Sequence, residues 1–251
     1  MRLEAVEQYQ QVNGIILRSR DYKEADQLLT VYTREQGKLT VQAKGVKKTT
    51  SKLRSGILLF SHTDLVLAAG KGFLIVTGAA TVTAFPSLRS DFARMSYASY
   101  GAELLDQVLA EGQPDEQLFL LILQTLHLLE YIDPWLAVRY LELRLLEQQG
   151  YRMELHHCLR CGAPLQGERF RGLQGGLLCR ACSFQEQAGP VLLQEGLTVL
   201  RAFDRLPLHK LGLVYISREG RRSVEQYLDL QLQQLLSWPL KSKDFLKQLE
   251  L

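Results

Sequence analysis

The four cysteines constrain the fold more than any other feature of the sequence. Cys158 and Cys161 form one Cys-x-x-Cys pair, Cys179 and Cys182 form a second, and residues 162–178 separate them. Two residues between thiolates allow both sulfurs of a pair to face one ion, and a turn-rich connection can bring the second pair round to complete a tetrahedron. The spacing therefore predicts one structural Zn²⁺ ion, without which this short segment should unfold.

Other uses of paired cysteines fit this sequence less well. Disulfide bonds need an oxidising compartment, and the N-terminal residues do not have the pattern of an export signal. A dithiol redox centre usually has one such pair in a βαβ unit, and an iron–sulfur cluster, which stays an alternative, usually has different spacings. Four thiolates leave no open position for catalysis. His156 and His157, next to Cys158, are alternative ligands or phosphate contacts, although two simple polar residues are the favoured interpretation.

Positive charge is concentrated near the N-terminus. The whole chain carries a formal charge of +3, but residues 34–54 contain seven lysines or arginines and one glutamate, a net +6. The rest of the chain therefore sums to −3. Such segregation creates a local field that attracts a polyanion, although a solvated lysine-rich loop would give the same composition.

The sequence around this basic stretch predicts a small β-barrel. Short β-rich segments separated by polar or glycine turns cover residues 12–18, 27–33, 38–44, 57–67 and 72–83. Five such strands suggest a closed barrel of the oligonucleotide-binding (OB) type. The alternation in residues 38–44 places its leucine, valine and alanine inside and two lysines outside. The candidate DNA contacts on this surface are Lys38, Lys44, Lys47, Lys48, Lys52 and Arg54.

Few aromatic side chains are available here to stack on bases. Tyr32 and Phe60 are the candidates, and both are better explained as core residues. We therefore expect contacts mainly to phosphates, with weak sequence preference and strong salt dependence.

After residue 85 the apolar spacing becomes helical. It predicts a helix interrupted or bent near Gly101, a second after Pro114, and a third with Asp133 as cap, Pro134 first and Gly150 beyond its end. The expected fold is α+β and multidomain. It comprises an OB-fold DNA-binding domain (1–85), a helical domain (86–153 and 188–251) and an inserted zinc unit (154–187). Further cations, which either extend the DNA surface or solvate helix ends, are Arg221, Arg222, Lys241 and Lys243.

Two broad classes of protein are disfavoured. The longest apolar run, residues 118–123, is much shorter than the roughly 18 to 20 residues of a membrane helix, so we expect a cytoplasmic protein. The sequence has no GxSxG, HExxH or Walker motif and no tight acidic motif, so we expect no enzymatic activity.

Several stretches together resemble the RecO family of bacterial DNA-repair proteins. They are GIILRSR (14–20), EADQLLTVYT (24–33), GKLTVQAKG (37–45) and LKSK (240–243). The resemblance spans nearly the whole chain in the same order, and Ala43-Lys44-Gly45 is its most specific part.

The resemblance implies a recombination mediator in the nucleoid. Such a protein binds single- and double-stranded DNA, anneals complementary strands and works with RecR, and through RecR with RecF. It also implies help in loading recombinase onto strands coated with single-stranded-DNA-binding protein, whose C-terminal tail docks in the helical domain. The main alternative is a zinc-ribbon nucleic-acid-binding regulator that uses Arg160, Arg169, Arg171 and Arg180 for recognition.

Overall fold

The computed structural model describes residues 9–185 and 189–249, which form two compact units. The first unit contains the described chain up to Glu130 together with the segment from Ser242 onwards, and the second contains Tyr131–Lys241. Within the described residues, none of the helices combines the length and the apolar character needed to cross a membrane.

A closed five-stranded barrel forms the N-terminal part of the first unit, as the sequence predicts. Its strands are β1 (Gln10–Tyr22), β2 (Asp26–Thr33), β3 (Gly37–Ala43), β4 (His62–Ala68) and β5 (Leu74–Thr83). Their order around the barrel is β1-β2-β3-β5-β4, and the β3–β5 contact that closes it is parallel. All other neighbouring strands are antiparallel.

Strands β1 and β4 differ most from the sequence prediction. Strand β1 is longer at both ends than residues 12–18, and β4 begins at His62 instead of residue 57. Phe60 explains the late start, because its backbone is left-handed (φ 59°), a conformation that strands do not contain. The Phe60 N–H still donates to the Ile16 carbonyl at 2.8 Å, so the segment packs along β1 without forming a regular strand.

The barrel interior is filled by branched apolar side chains from the strands and from the loop between β3 and β4. Val41 and Ala43 lie inside, as the alternation predicts, and Leu39 packs against the same cluster. Val46 and Ile57 belong to the β3–β4 loop and are also buried in this core. The loop is therefore fixed to the barrel by its own apolar residues at both ends.

The α-helices of the described chain fall in the region where the sequence shows helical spacing. They are α1 (Pro86–Ser90), α2 (Phe92–Val108), α3 (Glu116–Tyr131), α4 (Pro134–Gln148), α5 (Arg180–Ser183), α6 (Gln194–Arg205), α7 (Arg218–Leu232) and α8 (Lys241–Leu249). The first predicted helix is confirmed as α2, which runs through buried Gly101, so the helix is not interrupted there. The prediction for α4 is confirmed: Asp133 accepts from the Trp135 N–H, Pro134 comes first, and Gly150 follows with φ 88°.

A small sheet accompanies the helices of the second unit. Its strands are β6 (Glu154–Cys158), β7 (Arg169–Leu173), β8 (Gly176–Leu178) and β9 (Val191–Leu193), in the order β6-β8-β7-β9. Helices α6 and α7 pack against it. The four cysteines lie at the ends of β6 and β8, so this sheet positions the metal site.

Candidate metal centre and nucleic-acid interface

The four cysteine sulfurs converge on one point. The Sγ atoms of Cys158, Cys161, Cys179 and Cys182 all lie within 4.8 Å of one another, and those of Cys161 and Cys179 are 3.8 Å apart. A tetrahedral zinc ion with Zn–S bonds of about 2.3 Å separates its sulfurs by about 3.8 Å. The arrangement therefore fits a four-thiolate metal site, as the spacing predicts.

Two different local structures present the two cysteine pairs. Cys158 ends β6, and the following turn closes where the Gly162 N–H donates to the Cys158 carbonyl at 2.9 Å. Gly162 has φ 71°, which glycine adopts without strain. Cys179 comes after β8 and directly before α5. The second pair thus lies on a strand-to-helix connection.

The site favours a thiolate at Cys158. Burial raises the pKa of this thiol, but hydrogen bonds from the backbone N–H groups of Cys161, Cys179 and Arg160 outweigh burial and lower the pKa to about 6. Desolvation and hydrogen bonding with the neighbouring sulfurs raise the pKa of Cys182 to about 12. Without a metal, Cys158 therefore favours the thiolate and Cys182 favours the protonated thiol. A metal cation would stabilise all four thiolates together.

Side chains of the helices also hold the small sheet. On α7, buried Gln231 donates to the Leu173 carbonyl at 2.7 Å and accepts from the Gly175 N–H at 2.9 Å, so it bridges the β7–β8 turn. On α6, Arg201 donates twice to the Leu155 carbonyl, at 2.9 and 2.7 Å. The sequence predicts that the metal holds this segment, and these contacts from α6 and α7 support it in addition.

The loop between β3 and β4 carries a cluster of exposed cations. Side chains exposed on this loop include Lys44, Lys47, Lys48, Lys52 and Arg54. Two aspartates that the sequence analysis did not consider fix the start of the loop. Asp26 accepts from the Gly45 N–H at 2.8 Å, and Asp21 accepts from Lys47 Nζ at 2.7 Å. Both aspartates flank the β1–β2 turn, and only the strand register shows that this turn lies next to the basic loop. The sequence alone therefore gives little indication of these contacts.

These aspartates are stabilised as anions. The hydrogen bond from Gly45 is the main cause that lowers the pKa of Asp26, and the hydrogen bond from Lys47 is the main cause that lowers the pKa of Asp21. The loop is consequently tied to the barrel by charge-assisted hydrogen bonds as well as by its apolar residues.

Lys38 does not belong to this exposed surface. Its side chain faces outwards from β3 as predicted, but Lys38 is only 8% exposed. Its Nζ donates to the Asp106 carbonyl at 2.7 Å and to the Asp106 carboxylate at 3.3 Å. The expectation that Lys38 lies in solvent is wrong, because Asp106 of α2 binds its ammonium group and Glu111 and Gly112 pair with its backbone.

The remaining predicted contacts have different environments. Arg221 pairs with Asp133, the cap of α4, and its guanidinium lies 5.0 Å from the centre of the Trp135 ring, which gives it a structural role. Arg222, which like Arg221 belongs to α7, is exposed. On α8, Lys241 is exposed and Lys243 is half-buried. That these side chains extend a DNA surface stays a prediction.

The two aromatic residues considered for base stacking are in the core. Tyr32 is 1% exposed and Phe60 is 2% exposed, so neither offers a ring to a base, as the sequence analysis expected. His156 and His157 are exposed, and their backbone N–H groups donate to the Glu154 carboxylate at 2.6 and 2.9 Å.

The fold and the cysteine cluster together define a class of protein: an OB-type barrel joined to a helical part with four clustered cysteines that could hold a metal ion. Sequence comparison gives the family. The model "Recombination protein O N terminal" matches residues 7–85, and "Recombination protein O C terminal" matches residues 89–244. The chain belongs to the RecO family of DNA-repair proteins.

Individual relatives agree with this assignment. The chain is 36% identical over 236 residues to the DNA repair protein RecO of Pelotomaculum thermopropionicum, which covers 93% of this chain and 92% of that protein. It is 33% identical over 223 residues to the corresponding protein of Syntrophomonas wolfei, with coverage of 88% and 89%. It is 37% identical over 221 residues to the DNA repair protein RecO of Heliobacterium modesticaldum, which corresponds to 86% of this chain and 81% of that protein.

Proposed function

We propose that this protein is a DNA-binding recombination mediator that acts without catalysing bond chemistry. The observation that carries the proposal is the cationic β3–β4 loop, residues 44–54, which the fold holds exposed on the barrel of a RecO-family chain. Anchored cations lose little conformational freedom when they contact phosphates, so the loop is suited to grip a sugar–phosphate chain.

The loop gives an expected salt dependence. Five exposed cations remain once Lys38 is set aside. Single-stranded DNA releases about 0.7 counterions per neutralised phosphate, so the logarithm of the affinity should fall with the logarithm of salt concentration at a slope of about −3.5. Contacts of this kind recognise single and double strands alike and carry little sequence preference.

Strand annealing follows from the same electrostatics. Two complementary strands repel each other, and a cationic surface that holds both lowers the repulsion without making or breaking covalent bonds. In the cell, in the cytoplasm and at the nucleoid, we propose that the protein acts with RecR, and through it with RecF. It would help recombinase load onto DNA covered by single-stranded-DNA-binding protein, whose C-terminal tail it binds.

Zinc has a structural role in this proposal. Cys158, Cys161, Cys179 and Cys182 would hold one Zn²⁺, which supplies charge to stabilise four thiolates and fixes the turns after β6 and β8. With all four positions taken by sulfur, the ion offers no site to a substrate.

The test compares DNA binding after charge reversal in the first unit with DNA binding after charge reversal in the second. The first variant reverses Lys44, Lys47 and Lys48 to glutamate, and the matched control reverses Arg160, Arg169 and Arg171. We expect a large loss of affinity and a slope reduced by about 2 for the first variant, and small changes for the control.

Exposed arginines beside the cysteine site give the competing hypothesis its support. Arg160, Arg169 and Arg180 are exposed, as a zinc-ribbon regulator that reads DNA would require. A larger loss in the arginine variant would favour that function. Annealing of complementary oligonucleotides, followed by fluorescence quenching, then separates a mediator from a passive binder.

A further inference from the structure

An aromatic pair lies on the rim of the barrel near the cationic loop. Tyr22 ends β1, and Phe73 comes directly before β5. The ring centroids are 6.1 Å apart with an interplanar angle of 78°, an edge-to-face contact. Both side chains are half-buried, so part of each ring remains open to solvent.

A cleft opens beside this pair because the β3–β5 pairing that closes the barrel is short. Strand β3 pairs with β5 only at Val41 and Gln42, and further along the same edge Lys38 pairs with Glu111. In the described chain, residues 39–40 between them have no strand neighbour on this edge.

The resulting cleft has the size and lining of a small-ligand site. It measures about 620 Å³, within the range of about 300–1,000 Å³ that is usual for such sites. Leu39, Leu74 and Phe73 form its apolar wall, and Arg20, Thr40 and Glu111 supply polar groups. A flat ring with polar edges is complementary to this combination.

The Tyr22–Phe73 pair links the cleft to the start of the cationic loop through the β1–β2 register. Asp26, which binds the Gly45 N–H at the start of the loop, is opposite Tyr22 in the β1–β2 register. Exposed Arg20 and Lys71 flank the aromatic pair, and Lys23 Nζ lies 5.3 Å from the centre of the Tyr22 ring. Cations are therefore available beside the aromatic pair as well as on the loop to contact a polyanion.

Only an unpaired strand can use such a cleft. Bases in a duplex are stacked on one another, whereas bases of a single strand can turn out and stack on an aromatic side chain. We propose that the cleft takes one unpaired DNA base, which stacks on Phe73, while Tyr22 holds the Phe73 ring by its edge and Arg20 contacts the neighbouring phosphate. The proposal rests on the DNA-binding function, to which it adds a preference for single strands.

The test uses Phe73→Ala and Phe73→Leu in the full-length protein. Leucine keeps apolar packing next to Tyr22 but has no aromatic face, so it covers the case in which the alanine variant does not fold. The matched control is Phe92→Ala, since Phe92 also forms an edge-to-face pair, with Phe245 at 5.6 Å and 82°, in the same unit.

Three readouts are compared: affinity for a single-stranded oligonucleotide, affinity for the matching duplex, and fluorescence of 2-aminopurine placed along the strand. Loss of one base–aromatic stack should weaken single-strand binding by about 5- to 100-fold and leave the salt slope and the duplex affinity unchanged. Wild type should quench 2-aminopurine at one position, and both Phe73 variants should lose that quenching. Phe92→Ala should match wild type in all three.

The outcomes separate this inference from the proposed function. If wild type binds single strands with the expected slope but Phe73→Leu keeps the affinity and the quenching, stacking is refuted and the DNA-binding function stands. An equal loss for single strands and duplex also refutes it, because it would mean that Phe73 only supports the barrel. If wild type shows no salt-dependent DNA binding, the proposed function itself fails.

Discussion

Gln231 connects the helices of the second unit to the segment that carries the cysteines, and its replacement should have a measurable cost. Its side chain is 1% exposed and makes two hydrogen bonds across the β7–β8 turn. Gln231→Ala would leave the Leu173 carbonyl and the Gly175 N–H without this partner in a part-buried place. The turn should then open more readily.

The size of the effect follows from these two bonds. An unsatisfied buried polar group costs about 1–3 kcal/mol, and the lower value suits groups that are only part-buried. Two such groups give a loss of about 2 kcal/mol in the free energy of unfolding. With a urea dependence of about 1–3 kcal/mol per molar, the unfolding midpoint should fall by about 1 M.

Urea unfolding measures the loss of stability, and amide exchange measures the opening of the β7–β8 turn. The matched control is Gln226→Ala, an exposed glutamine on the same helix, for which we expect a change within about 0.5 kcal/mol. In Gln231→Ala the Gly175 amide should exchange faster than in wild type, and the control should leave it unchanged.

A small effect would refute the reasoning. If Gln231→Ala and Gln226→Ala unfold at the same urea concentration, or if exchange at Gly175 stays at the wild-type rate, α7 does not hold the turn. The metal site would then be the main support of the segment.

Further predictions concern the metal, the barrel and the loop. Chelation of the metal, or Cys161→Ser, should remove amide protection from the two cysteine turns but leave that of β7 and β8, as seen by exchange mass spectrometry; collapse of the whole sheet would contradict this. Lys38→Met should destabilise the barrel by about 1–2 kcal/mol in urea without changing the salt slope of DNA binding, because its ammonium binds Asp106 and not phosphate. Asp26 has a lowered pKa, so its hold on Gly45 is present above the ordinary carboxyl pKa and is lost as pH falls below about 4. Relative to its intrinsic rate, exchange of the Gly45 amide should rise there in wild type, whereas in Asp26→Ala, which lacks the acceptor oxygen, this amide should be unprotected at every pH.

Patterns between near neighbours in the sequence were sufficient for most of the fold. Alternation in residues 38–44 gave the correct inward residues, Asp133 and Pro134 gave the start of α4, and two Cys-x-x-Cys pairs gave the metal cluster. The strand alternation and the helix start depend on backbone geometry within a few residues, and each cysteine pair depends on the spacing of its own two thiols.

Predictions failed where a distant segment covers a surface or changes a backbone. Alternation correctly turned Lys38 outwards, but it carried no information that Asp106 of α2 would bind its ammonium group. The left-handed Phe60 shortened β4, because its N–H is bound by Ile16, far away in sequence.

Periodicity and spacing, which are read along the chain, were therefore enough to predict the strands, the helices, the cysteine cluster and the cationic loop. Tertiary structure alone decided which lysines stay exposed, that Tyr22 and Phe73 meet beside a cleft, and that Gln231 and Arg201 hold the small sheet. The physical reason is that a residue's own pattern sets the direction of its side chain, whereas its partner and its exposure depend on chain that is remote in sequence.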